Sequence, residues 1–148
     1  MLCLGLALTA GGCGSVGGFF GERTVDVRAF CSTVNVEQAR ILAHYATPAD
    51  FGTDDAFATL MERLPHAAKF RALSPYVHRL AATTVRGKGF NAALERLAKT
   101  VDWLVKRPND AVVLRSLQLL AAGSVEGVDS FAQRKCGEPA IGMDGFLR

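Results

Sequence analysis

The strongest constraint on this chain is the helical rhythm of its apolar residues between Phe90 and Val105. Phe90, Leu94, Leu97, Ala98, Val101, Leu104 and Val105 fall on one stripe of a 3.6-residue helix. The opposite face carries Glu95, Arg96, Lys99, Asp102 and Lys106, with the acid four residues before the base in Glu95/Lys99 and Asp102/Lys106. A helix patterned this way must bury its stripe against other elements. No run in the chain alternates with period two for long enough to argue a strand, so the partners are helices as well.

The remaining segments supply them. Val27, Phe30, Cys31, Val34, Ile41, Leu42 and Tyr45 suit a helix over about 27–46; Asn35 and Gln38 have capping-box spacing and mark a point of interruption. Pro48 terminates that helix. Thr53 is expected to cap a short helix with Asp54 and Asp55 in its first turn, with Phe57, Leu60, Met61 and Leu64 inward and Pro65 as its stop. Ser74-Pro75 reads as a cap followed by a first-turn proline, opening a helix with Val77, Leu80, Ala81, Thr84 and Val85 inward. Gly87 and Gly89 form the next break. Pro108 ends the Phe90–Val105 helix, and Asn109 or Asp110 caps the last one. There Gly123-Ser124 leaves open whether 110–136 is one kinked helix or two. The fold class is all-α, a compact antiparallel bundle of five or six helices over residues 27–137. Residues 138–148 read as a mobile C-terminal tail.

Ahead of the bundle the composition changes. Seven of the 15 glycines lie in the first 21 residues, and no charged residue precedes Glu22. Residues 2–10 form an apolar run of signal-peptide length, too short for the roughly 20 residues that cross a bilayer. Ala10-Gly11-Gly12-Cys13 then looks like a lipobox, in which small residues precede a cysteine that is lipidated and becomes the new N-terminus. Ala10 stands where such boxes have a branched apolar residue, and no charge precedes the run. The expectation is a lipoprotein-type signal over 1–12, lipidation at Cys13 and a flexible Gly-rich tether over 13–26. A secretory signal cut near Ala10 and a crude membrane anchor are the alternatives, and all three place the domain outside the cytoplasm.

Cys3 lies in the apolar run and Cys13 at the processing site, which leaves Cys31 and Cys136 as one pair. An oxidising compartment favours a disulfide between them, closing a loop worth about 4–5 kcal/mol in the chain-entropy model. Two buried free thiols are the alternative. No metal site is expected, because neither cysteine has a second ligand at the necessary spacing.

Candidate chemistry is sparse. His44, His66 and His78 are not spaced to share a metal on one helix face. Ser116, Ser124 and Ser130 occupy ordinary helix or cap positions without a nucleophile-elbow motif. Residues 66–107 hold nine Lys/Arg (Lys69, Arg71, Arg79, Arg86, Lys88, Arg96, Lys99, Lys106 and Arg107) against Glu95 and Asp102, within a total charge of +3. Such a stretch is either a solvated helix face or a basic patch facing anionic lipid or an acidic envelope polymer. Nucleic acid is not expected, since aromatics do not interleave with the basic residues. Trp103 reads as the edge of the core.

Phe30-Cys31 near the start of the helical region, Cys136-Gly137 near its end and the Ala46-Thr47-Pro48-Ala49-Asp50 turn resemble small secreted actinobacterial lipoproteins of uncharacterised function. That resemblance spans about residues 1–137. It implies an envelope location and a disulfide-closed bundle, and it brings no catalytic residue or cofactor. The expected function is therefore a membrane-tethered binding module for an envelope protein, a polymer or an anionic lipid surface, without catalysis. The alternative is a small exported enzyme or ligand carrier using His44 or His78 with a nearby carboxylate in an interhelical cleft.

Overall fold

The computed structural model describes residues 22–148. The expected signal over 1–12, Cys13 and the tether as far as residue 21 lie outside the described residues.

Three of the helices begin at an aspartate whose side chain satisfies one of the first N–H groups, Asp26, Asp55 and Asp110. Asp26 accepts from Ala29 N at 3.0 Å and opens α1, Val27–Tyr45. In α2, Pro48–Phe51, Pro48 sits in the first turn rather than only ending α1, and Thr47 N donates to Asp50 Oδ2 at 2.8 Å. The next helix, α3 (Ala56–Arg63), is capped by Asp55, which accepts from Ala58 N at 3.0 Å. The expected cap, Thr53, instead donates its hydroxyl to Asp50 O at 2.8 Å. Then follow α4 (His66–Ala81), α5 (Gly89–Lys106), α6 (Ala111–Cys136) and α7 (Met143–Leu147). Among the described residues there is no strand, only an isolated bridge between Val25 and Thr84.

The all-α bundle closed by one disulfide is what the chain forms. Cys31 is bonded to Cys136 with their Cα atoms 5.4 Å apart, joining the second turn of α1 to the end of α6. Beside the bridge, Phe30, Phe90 and Phe131 form an aromatic cluster. Phe131 meets Phe30 edge-on at 5.0 Å between centroids and Phe90 at 4.9 Å. The centre of the bundle is filled by fully buried Leu60, Leu73, Leu80, Leu94 and Leu104 together with Phe70 and Tyr76.

Three expectations change, and the open alternative over 110–136 resolves to one helix. Asn35 does not interrupt α1, because it faces solvent and Gln38 spends its amide elsewhere. Ser74-Pro75 lies inside α4, which starts eight residues earlier at His66. A mid-helix proline costs about 3 kcal/mol in an isolated helix, but Phe70 and Leu73 precede it on the buried stripe, so ending the helix there would strip the core. Gly123-Ser124 does not divide α6, which runs unbroken to Gly137, whose left-handed φ of 87° ends it. Residues 22–26 are not tether: a 3-10 turn spans Glu22–Thr24, Val25 is buried, and Asp26 N donates to Thr83 O at 3.0 Å.

The largest correction concerns the tail. Residues 138–148 belong to the domain, with Ala140, Ile141 and Phe146 buried. A buried segment outside long helices must find partners for its backbone, and side chains of three helices provide them. Gln38 Nε2 on α1 donates to Ala140 O at 2.9 Å and to Pro139 O at 3.1 Å. Tyr76 Oη on α4 donates to Ala140 O at 2.6 Å, Lys69 Nζ to Gly145 O at 2.6 Å, and Gln118 Nε2 on α6 to Phe146 O at 2.7 Å. Asp129 of α6 accepts from Ile141 N at 2.8 Å and Gly142 N at 3.0 Å. Gly145 passes so close to α3 that a Cβ there would lie 2.6 Å from Met61 Cβ.

Two predictions follow from these ties. Replacing both bridge cysteines (Cys31→Ala with Cys136→Ala) is expected to lower the unfolding free energy by about 2–5 kcal/mol in a urea titration, and an unchanged midpoint would remove the staple from the stability of this fold. Burial holds the Lys69 ammonium down at about 8 against its ordinary 10.5. The unfolded chain therefore binds the extra proton between those values, and stability rises with pH from about 8 toward 10. Burial also pushes the Tyr76 phenol above its ordinary range, so stability falls again above about pH 10 as the unfolded phenol ionises. Urea titrations across pH 7–10 should show the rise in the native sequence and a flatter profile in Lys69→Met; equal slopes would show that the buried ammonium is not its source.

Candidate functional site

The most developed polar constellation on the surface joins α4 to α5. Ser74 and His78 are four residues apart and share a face of α4. Opposite them, the polar side of α5 presents Asp102. Ser74 Oγ donates to Asp102 Oδ1 at 2.6 Å, and His78 Nε2 lies 3.0 Å from Asp102 Oδ2. Partial burial opposes ionisation of Asp102, but the bonds from Ser74 and His78 outweigh it and hold the carboxyl below its ordinary range. His78 and Asp102 both remain well exposed. A cleft of 680 Å³ lined by His78, Arg86, Asn91, Glu95 and Lys99 opens on one side. A smaller one of 340 Å³, with Arg71, Ser74, Asp102 and Lys106, opens on the other.

The order of groups limits the chemistry. In acyl-transfer triads the imidazole stands between nucleophile and carboxylate, so that it can take the hydroxyl proton. Here the carboxylate stands between, and the Ser74 proton already points at Asp102. Ser74 is therefore not activated by His78. What remains is an oriented histidine–aspartate pair at the rim of an open cleft. Asn91 is occupied structurally: Nδ2 donates to Ala81 O at 3.1 Å and Thr84 Oγ1 at 2.7 Å, and Oδ1 accepts from Gly87 N at 2.7 Å. Ser74 and Asp102 were not singled out from sequence. The available signal was the spacing of Ser74 and His78, hidden because Ser74 read as a helix cap.

Among the described residues the other histidines have no such partner. His44 is exposed with its ring edge-on to Tyr45, and His66 stacks on Phe70 while its Nε2 lies 2.9 Å from Arg148 O. Among the described residues no group of three or more His, Cys, Asp or Glu side chains is gathered to hold a metal ion. The basic stretch is divided by the fold. Lys69 is buried, and Arg79 is bound to the buried Glu37 of α1 at 2.6 Å. Arg71, Arg86, Lys88, Arg96, Lys99, Lys106 and Arg107 remain exposed. Another ion pair, Arg63 with buried Asp50, locks α2 to α3 at 2.7 Å and holds the Asp50 carboxyl at about 2.

Trp103 departs from its expected place at the core edge. It is 52% exposed, with Lys106 Nζ 5.5 Å and the Arg107 guanidinium carbon 5.6 Å from its ring centre. Across the short turn, the first half of α6 exposes Val112 (76%), Leu119 (54%) and Leu120 (74%). Among the described helices α6 alone is long and apolar enough, by length and composition, to cross a membrane. In this fold its other side buries Leu114, Ala121, Val125, Val128 and Phe131.

Removing the serine hydroxyl (Ser74→Ala) is expected to return the Asp102 carboxyl toward its ordinary range, as read by NMR titration, with little change in the urea midpoint because the group is exposed. A titration that does not move would show that the hydroxyl plays no part in holding the carboxylate.

Comparison with protein-family models, with curated proteins and with solved structures finds no match to this chain.

Proposed function

We propose that this chain is a non-catalytic interaction module of the cell envelope, exported, tethered to the membrane through a lipid on Cys13, and docking a macromolecule through the outer face of α6. The observation that carries the docking is the exposure of Val112, Leu119 and Leu120 on one helix. Large apolar side chains left in water on one helix mark contact sites on folded proteins. The interior offers no competing use for these residues, since the centre of the bundle is filled by leucine and phenylalanine. Export and tethering rest on the apolar leader, the small residues before Cys13 and the resemblance to small actinobacterial lipoproteins. Trp103, half-exposed with Lys106 and Arg107 over its ring, lies just before the turn that leads into α6.

A second reading, a small exported enzyme or ligand carrier, is favoured by one observation, the oriented His78–Asp102 pair beside the 680 Å³ cleft. It would use His78 as a proton acceptor for a small ligand in that cleft.

The two readings separate on a pair of variants in living cells. In the first reading Cys13→Ala moves the chain out of the membrane fraction. A photo-cross-linking residue at Leu120 gives a defined adduct that is lost in Leu119→Ser, and the same probe at exposed Asn35 gives none. Adducts of equal yield at both positions, or none at Leu120, would remove the docking face from the function. A ligand that shifts the His78 ring signals in NMR and leaves Leu120 untouched would favour the second reading.

A further inference from the structure

Gly123 stands in the middle of α6, exposed, and a Cβ built on it would meet nothing within 4 Å. Among the described residues nothing requires glycine there. A glycine inside a helix is less stable than alanine, and an exposed one leaves the backbone open to close approach by another element.

The residues around it have the form of a helix-pairing seam. Exposed Val112, Ser116, Leu119, Gly123, Glu126 and Ser130 follow one another at intervals of four, three, four, three and four, the spacing of a seam in a coiled coil. Leu120 flanks it. Arg115 and Glu126 are exposed on the same side and form no ion pair within the described chain. Eleven residues separate them, about 16 Å along the helix axis, too far to reach one another.

Resting on the docking reading above, we infer that α6 pairs antiparallel with α6 of a second copy of this chain, about a twofold axis passing near Ala121. That register sets Leu119 against Gly123 of the partner subunit, a large side chain entering the hole the missing Cβ leaves. It sets Val112 against Ser130 of the partner subunit. Glu126 of the partner subunit comes beside both Ser116 and Arg115, so that acid meets base and hydroxyl on each side of the axis. The face is thus complementary to itself, as a twofold contact demands. An anionic lipid surface has no use for a glycine at the centre of the patch and is repelled by Glu126 at its rim. The contact is one helix wide and smaller than the roughly 800 Å² per partner of a standard interface, so the pairing is concentration-dependent.

The test is sedimentation velocity of the full chain, unreduced, in mild detergent over a concentration series, with far-ultraviolet circular dichroism and a urea midpoint for every variant. The native chain is expected to dimerise, and Gly123→Leu and Leu119→Ser each to weaken the dimer by about tenfold or more. Arg115→Glu and Glu126→Arg are each expected to weaken it, and the two together to restore it, because the pair forms only between copies. A chain that stays monomeric throughout, a dimer indifferent to Gly123→Leu, or a double reversal that restores nothing overturns the inference. If the chain is monomeric while the Leu120 cross-link in cells captures another molecule, self-pairing falls and the docking reading stands. If both are negative, both fall.

Discussion

The structure depends on a constraint that belongs to the backbone: a chain segment buried outside regular helix must have every carbonyl and amide answered. Residues 139–142, together with the last carbonyls of short α7, meet this through side chains that reach them from three separate helices. Gln38, Tyr76, Lys69, Gln118 and Asp129 each spend a polar group on the segment's main chain. Because those five residues sit on α1, α4 and α6, the segment also sets how these helices lie relative to one another. The disulfide closes the same region from its edge, linking α1 to the end of α6 immediately before the segment begins. Burying Lys69 is the costly part of the arrangement, since an ammonium removed from water is answered by one carbonyl.

The helical class, the α5 stripe and the Cys31–Cys136 pairing were legible because each is a local or compositional signal. The Phe90–Val105 periodicity repeats often enough to outweigh any competing pattern, and only two cysteines remained once the leader was set aside. The α4 start was misread because Ser74-Pro75 carries a strong local boundary signal, which the burial of Phe70 and Leu73 overrides. The tail was misread for a related reason. Ile141, Met143, Phe146 and Leu147 are apolar enough to suggest burial, but the glycines and proline around them point to a loop, and their partners lie up to a hundred residues away. Gln38, Lys69 and Gln118 occupy helix positions where an apolar residue would have revealed the inward face. Gln38 instead has the spacing of a cap partner, and Lys69 counts toward the basic stretch.

The candidate site was less legible than the fold. A histidine near a carboxylate was foreseeable in kind, whereas the identity of Asp102 depends on how α4 and α5 are rotated against each other. That rotation also determines the order Ser74–Asp102–His78, and the order rather than the composition of the three decides that the hydroxyl is not a nucleophile. Trp103 shows the same dependence in reverse. One step around α5 from the apolar stripe is enough to leave its ring outside, where Lys106 and Arg107 cover it.

A ribosome makes residues 138–148 after α1 to α6, yet those residues complete the core. While the first 137 residues emerge, Phe70 lacks Phe146 against its ring, and the polar groups of Gln38 and Gln118 have nothing to hold. A chain stopped before residue 138 would leave that side of the core open to water, with Phe70 bare on one flank and two glutamine amides inside the bundle facing nothing that accepts from them.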